Sequence, residues 1–279
     1  MTLQRPESID AALALLAEGG GTILAGGTDV YPALRDATPP ECMIDVTGIE
    51  GLRDISLRDG IWRLGAATTW TDIVRAELPQ LFSGLKLAAR EVGSVQIQNT
   101  GTLAGNICNA SPAADGVPAL MALDTQVEVM GPEGRRAVML QDFINGPRAV
   151  NLGAGEMITA LLIPDRAGQG AFLKLGSRRY LVISIAMVSA VIKSDDGVIS
   201  RAAISVGACS PVAFRATALE EALVGADAAA IAGLVQAADL PDLTPITDVR
   251  ASASYRQDAV RTLVTRTIHQ AMEPPHVAG

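Results

Sequence analysis

Histidine is almost absent from this 279-residue chain, and its two examples, His269 and His276, stand at the far C-terminal end. The body of the chain therefore has no imidazole for a Ser–His–Asp arrangement or a histidine metal site. Cysteine is nearly as scarce. Cys42, Cys108 and Cys209 are single and widely separated, without the paired spacing that holds an iron–sulfur cluster or a structural zinc. Redox chemistry, if present, must come from a bound organic cofactor or from another chain. Positive charge is also short. The 22 Lys and Arg face 30 Asp and Glu, a net charge of −8, which argues against a face built for nucleic-acid phosphates. No apolar run is long enough to span a bilayer. The longest, residues 181–192, is interrupted by Ser184 and Ser189 and reads as a core strand. The first ten residues show no basic region followed by an apolar core, so no signal peptide is expected and the location is read as cytoplasmic.

What the chain does contain is core. Hydrophobic residues make up 49% and charged residues 19%, enough to bury a substantial interior in one large domain or two ordinary ones. Ile9, Leu13 and Leu16 lie at helical spacing, with Pro6 before them and three glycines, Gly19 to Gly21, to end the helix. A short strand over 22–25 then runs into Gly26-Gly27-Thr28-Asp29, followed by a short helix ending near Arg35. Residues 42–46 read as a buried strand. Residues 55–64 read as a hairpin turning at Asp59-Gly60. Helices are expected over 70–77 and 80–92, a long polar loop over 96–115, a short helix over 118–123 and a hairpin over 127–140. A polar break over 165–170 reads as a domain boundary. Beyond it, strands over 183–193 and 198–209 join at Asp195-Asp196-Gly197, and helices over 215–224, 227–238 and 252–272 close the chain. The expected class is α+β.

Two glycine loops carry the chemistry. In the first, Ile23, Leu24, Ala25, Gly26, Gly27, Thr28, Asp29 and Val30, the glycines let the backbone approach an anion. Successive N–H groups converge there and Thr28 adds a hydroxyl. The pattern is neither G-x-G-x-x-G nor G-x-x-x-x-G-K-[ST], and alone it reads more readily as a plain turn than as a ligand loop. The second loop, residues 100–115, offers Thr102, Gly105, Asn106, Asn109 and Asp115. Its amides and hydroxyls suit sugar and phosphate oxygens. Asp115 would repel a pyrophosphate, so it reads either as an acceptor for ribose or ribityl hydroxyls or as an N-cap for the next helix.

The pair AGGTD (25–29) and TGTLAGN…SPAAD (100–115) resembles the FAD-binding, or medium, subunit of the molybdenum hydroxylases, over nearly the whole chain. The resemblance implies a two-subdomain FAD-binding domain of the vanillyl-alcohol-oxidase type over 1–168. A smaller C-terminal domain of antiparallel sheet and helices would follow over 169–279. It implies non-covalent FAD held by residues 23–30, Thr102, Gly105, Asn106, Asp115, Ile158 and Lys174. It places [2Fe–2S] clusters on a small partner subunit and molybdopterin on a large one. NAD, a quinone or oxygen would then be the external acceptor. Lys174, one of three lysines, also reads as a surface residue at a strand edge. Where many relatives carry acidic residues near the flavin ring, this chain has Arg178-Arg179-Tyr180-Leu181-Val182, which puts NAD as the acceptor in doubt. No catalytic acid, base, nucleophile or metal ligand is expected here. A free-standing FAD-dependent oxidoreductase acting on a small substrate, or a scaffold without flavin, are the alternatives.

Overall fold

The computed structural model describes residues 1–34 and 38–273. Arg35, the expected end of the second helix, and His276 lie outside them. The chain opens with β1 (Thr2–Gln4), α1 (Ile9–Gly19), β2 (Thr22–Leu24), α2 (Val30–Ala33) and β3 (Cys42–Asp45). The Ser8 hydroxyl caps α1 by accepting from Ala11 N, and Gly20, at φ 71°, ends it. The hairpin β4 (Ile55–Arg58) and β5 (Ile61–Gly65) turns at Asp59 and Gly60, both at positive φ, as a two-residue primed turn requires. Next come α3 (Trp70–Arg75), a 3₁₀ turn (Gln80–Phe82), α4 (Ser83–Glu91), α5 (Val95–Thr100), α6 (Leu103–Asn109) and α7 (Gly116–Ala122). Then follow β6 (Gln126–Gly131), β7 (Gly134–Met139), α8 (Leu140–Phe143), β8 (Ile144–Gly146), β9 (Ala149–Val150) and β10 (Met157–Pro164). The last stretch holds β11 (Gln169–Leu175), β12 (Ala186–Asp195), β13 (Val198–Gly207), β14 (Phe214–Arg215), α9 (Thr217–Leu223), α10 (Ile231–Ala237) and α11 (Ala253–Met272).

By internal contacts these elements form two compact units. The first comprises Met1–Ile73, Ser94–Ala110 and Asp124–Asp165; the second comprises Val74–Gly93, Ser111–Leu123 and the chain from Arg166 onward. The first unit has a small parallel sheet in the order β1-β3-β2 and a five-stranded antiparallel sheet in the order β4-β5-β10-β6-β7. Leu64, Val127, Val129, Leu161 and Ile163 are completely buried in it.

In the second unit β11-β12-β13-β14 form an antiparallel sheet. Ala186, Val188, Ala190, Ile204 and Val206 pack with α9, α10 and α11 in one apolar cluster. Helices α4 and α7 pack against the same strands. A Cβ on Gly84 would stand 2.7 Å from the Ala171 carbonyl oxygen, and one on Gly207 would stand 2.6 Å from the Pro118 ring. Both are under van der Waals contact. Helices on either side bury β12 over seven consecutive residues, so its sequence is a near-continuous apolar run, broken only by the buried Ser189, rather than an alternation.

Two expectations are corrected. Residues 96–115 are not one loop: α5 and α6 occupy most of them. The Ser94 hydroxyl accepts from Ile97 N and the Thr102 hydroxyl from Gly105 N, while Leu103 and Ile107, four apart, are fully buried. Helices of six and seven residues are too short to show a period against small and polar neighbours. The strand expected from residue 183 begins only at Ala186. Leu181 takes φ 52° and Ile183 is exposed, so the run's first part is a surface turn.

Candidate flavin site

Strand β2 delivers the chain into the first glycine loop, which lines a cavity of about 770 Å³ within the first unit. That is the size of an ordinary cofactor pocket. Ile23, Ala25, Gly26, Gly27, Thr28, Asp29 and Val30 all face it, as do Thr102, Gly105 and Ile158. Leu24 does not; alternation along β2 turns its side chain into the core, where it is 6% exposed.

The two loops are built against each other. A Cβ on Gly26 would lie 1.8 Å from the Thr100 carbonyl oxygen, so this position admits only glycine. Gly27 takes φ 68°, a conformation costly for other residues. Trp70 N donates to Gly101 O at 3.2 Å, which draws the second loop onto the start of α3. Asn109 Nδ2 donates to Asp29 Oδ1 at 2.8 Å. Arg148 in turn holds Asn109, donating to its carbonyl at 3.1 Å and to its side-chain oxygen.

A third wall comes from residues 152–158, which carry Gly153 and Gly155. Arg136 fixes this wall. Its guanidinium donates to both Glu156 carboxylate oxygens, at 2.8 and 2.7 Å, and to Asn151 O at 2.9 Å. That pairing, with Gly153 N donating to Glu156, lowers the Glu156 carboxyl to about 2. Sequence reasoning missed this wall; its signal was the pair of glycines two apart just before β10.

The cavity suits a phosphate-bearing cofactor in specific ways. Among the described residues no Lys or Arg lines it, and the two carboxylates there, Asp29 and Glu156, already accept from Asn109 and Arg136. An anion must therefore be met by neutral donors. The N–H groups of Gly26, Gly27, Thr28 and Asp29 have no acceptor among the described residues. Such a run of backbone donors forms an anion-binding nest. Beside Gly105, the side-chain oxygen of Asn106 is buried and has no hydrogen-bond partner among the described residues. Asn106 itself does not line the cavity, and its unmet buried acceptor calls for a donor that the described residues do not supply. Cys108 opens onto the same cavity and is exposed there, and desolvation by the surrounding protein pushes its thiol up to about 11. A thiol that stays protonated is a poor nucleophile.

Asp115 and Lys174 both belong to the second unit. Although Asp115 stands at the N-cap position of α7, its side chain caps nothing. Its carboxylate instead accepts from Lys174 Nζ and from Ser184 Oγ, each at 2.6 Å. Burial pushes its carboxyl up, against the opposing pull of Lys174 and Ser184. Lys174 is not a surface residue: its side chain is 7% exposed and also donates to Glu91 O. Among the described residues no group of His, Cys, Asp and Glu could hold a metal ion, and no helix is long and apolar enough to cross a membrane.

Comparison with known proteins bears on both units. Residues 1–166 match the family described as the FAD binding domain in molybdopterin dehydrogenase, and residues 171–271 match the CO dehydrogenase flavoprotein C-terminal domain. The 6-hydroxypseudooxynicotine dehydrogenase complex subunit alpha of Paenarthrobacter nicotinovorans is 30% identical over 95% of this chain and 92% of its own. The nicotine 6-hydroxylase medium subunit of the same organism is 32% identical, covering 95% of each. A solved carbon monoxide dehydrogenase from Hydrogenophaga pseudoflava, lacking the Mo-pyranopterin moiety of the molybdenum cofactor, superimposes with a TM-score of 0.90. It is 28% identical and covers 97% of this chain and 96% of that one.

Proposed function

The chain belongs to the FAD-binding medium subunits of the molybdenum hydroxylases, and from that premise we propose how it serves such a complex. It holds FAD without a covalent bond and links a small iron–sulfur subunit and a large molybdopterin subunit to an external acceptor: NAD, a quinone or oxygen. Flavin suits the post because it accepts electrons one at a time and releases them as a pair. Substrate oxidation falls to the partner chain.

The observation that carries this reading is the neutral, donor-lined cavity of the first unit. Residues 26–29 present four amides to a pyrophosphate. Ile23, Val30 and Ile158 supply apolar wall, and Asn106, whose side-chain oxygen is buried beside Gly105, joins the set on the family resemblance. Thr102 positions Gly105 through its cap. Leu24, Asp115 and Lys174 remain in the proposed flavin set on the family resemblance. For Asp115 and Lys174, burial as a charged pair adds support, since buried ionised groups outside a core network are commonly functional. Residues 1–168 are the proposed FAD-binding domain and 169–279 the C-terminal domain.

The test is a visible absorption spectrum of the purified chain after FAD is added and the excess removed. A flavin band that acid releases into the supernatant is the expected result. No band, either in the chain alone or in the complex purified with its partners, would overturn the proposal.

A further inference from the structure

One face of the five-stranded sheet carries a groove of about 540 Å³, lined by Arg58, Ile61, Arg63, Arg135, Arg136 and Leu162 with Glu128, Asp59 and Ala137. Strand register accounts for the grouping. Arg58 lies across from Ile61, Arg63 from Leu162, and Glu128 from Ala137. Residues two apart share a face, so Ile61 with Arg63 and Arg135 with Ala137 converge there, while Arg136, turned to the other face toward Glu156, reaches only the groove's margin.

The charges do not balance. Arg136 is matched by Glu156. Glu128, 5% exposed, is a single carboxylate shared by Arg63 at 3.3 Å and Arg135 at 3.1 Å, and it also accepts from Thr159 Oγ1 at 2.7 Å. Arg58 has no carboxylate partner among the described residues. Even with Asp59 counted, the groove is cationic, on a chain whose net charge is −8. The Arg135 side chain is 67% exposed, and Ile61, at 39%, is exposed across from Arg58. Guanidinium groups beside apolar side chains are the composition of a protein interface rather than of a plain solvent face.

We infer that this groove seats an acidic segment of a partner subunit. Arg58 and Arg135 take its carboxylates and Ile61 and Leu162 take an apolar side chain. The inference rests on the proposed function, which supplies the partners, while the charge of the groove selects their chemistry. Among partner chains an acidic segment fits best, because a basic one would meet like charge and a neutral one would leave Arg58 unmatched.

The test uses the complex co-expressed from its three chains, with native mass spectrometry reading subunit content at rising ionic strength. Wild type is expected to lose this subunit as salt increases. The Arg58→Glu/Arg135→Glu variant is expected to bind its partners more weakly by roughly tenfold or more. The isolated variant should keep the flavin content and unfolding midpoint of wild type. If it does not, Arg58→Gln/Arg135→Gln carries the measurement. Assembly indifferent to salt and to both variants overturns the inference, as does self-association of the isolated wild-type chain through this face. Failure of the functional reading is seen separately, as wild type that neither retains flavin nor assembles, and that result overturns both.

Discussion

At the scale of single residues, the glycines of the cavity divide by what they approach. Gly26 faces protein: its missing Cβ leaves room for the Thr100 carbonyl. Gly26→Ala is therefore expected to destabilise the first unit by about 1–3 kcal/mol through overpacking and to lose FAD as a consequence. Urea unfolding followed by circular dichroism would register the fall in midpoint. Gly105 faces the cavity, and its added Cβ would meet only the Thr102 hydroxyl, at 2.9 Å. Gly105→Val should leave the fold nearly intact and still empty the site, read as lost flavin absorbance at an almost unchanged midpoint. The Cys108 thiol, raised by desolvation to about 11, stays largely protonated at neutral pH. Cys108→Ser should consequently retain a full complement of acid-releasable FAD. Flavin left bound to the precipitated wild-type protein but not to the variant would contradict this.

Among the elements, the wall at residues 152–158 depends on a contact from β7. Glu156 titrates near 4.5 when unfolded and at about 2 when paired with Arg136. The folded state thus binds fewer protons across that interval. The contact's contribution is fully present above about pH 4.5 and is lost as pH falls through about 2. Glu156→Gln should be less stable than wild type at neutral pH, and the difference should shrink as pH falls from 4.5 toward 2. A gap that stays constant over that range would show the pairing to be energetically idle. In the second unit, the Asp115 carboxylate joins α7 to β11 through Lys174 and to the turn before β12 through Ser184. Lys174→Met would strand a buried carboxylate at a cost of about 3–5 kcal/mol. Adding Asp115→Asn should recover much of that loss, and thermal melts of the two variants would reveal it.

Across the whole molecule, connectivity and compactness disagree. The chain passes between its two units five times, so the sheet β11–β14 draws one of its covering layers, α4 and α7, from residues 74–93 and 111–123. A fragment of residues 169–279 would expose the apolar face that those helices bury. It is expected to be insoluble or to lack a cooperative melt, and supplying residues 1–168 in trans should restore one. A fragment that melts cooperatively by itself would show that the α4 and α7 layer is dispensable.

The sequence by itself determined the class, the order of most of the elements and the two glycine loops of the site. Those features are written locally: glycines at turns, alternation or apolar runs in strands, and a helical period in the longer helices. It also determined that chemistry must be borrowed, since scarce histidine and unpaired cysteine need no coordinates to interpret. Only the tertiary structure decided which of these residues meet. It placed Gly26 on Thr100, brought residues 152–158 in as a third wall, and left Asn106 with a buried oxygen in want of a donor. It also turned Asp115 from a possible helix cap into the partner of Lys174 and Ser184. Each of these joins positions far apart in the chain, and no local pattern records a contact whose two halves are separated by tens of residues.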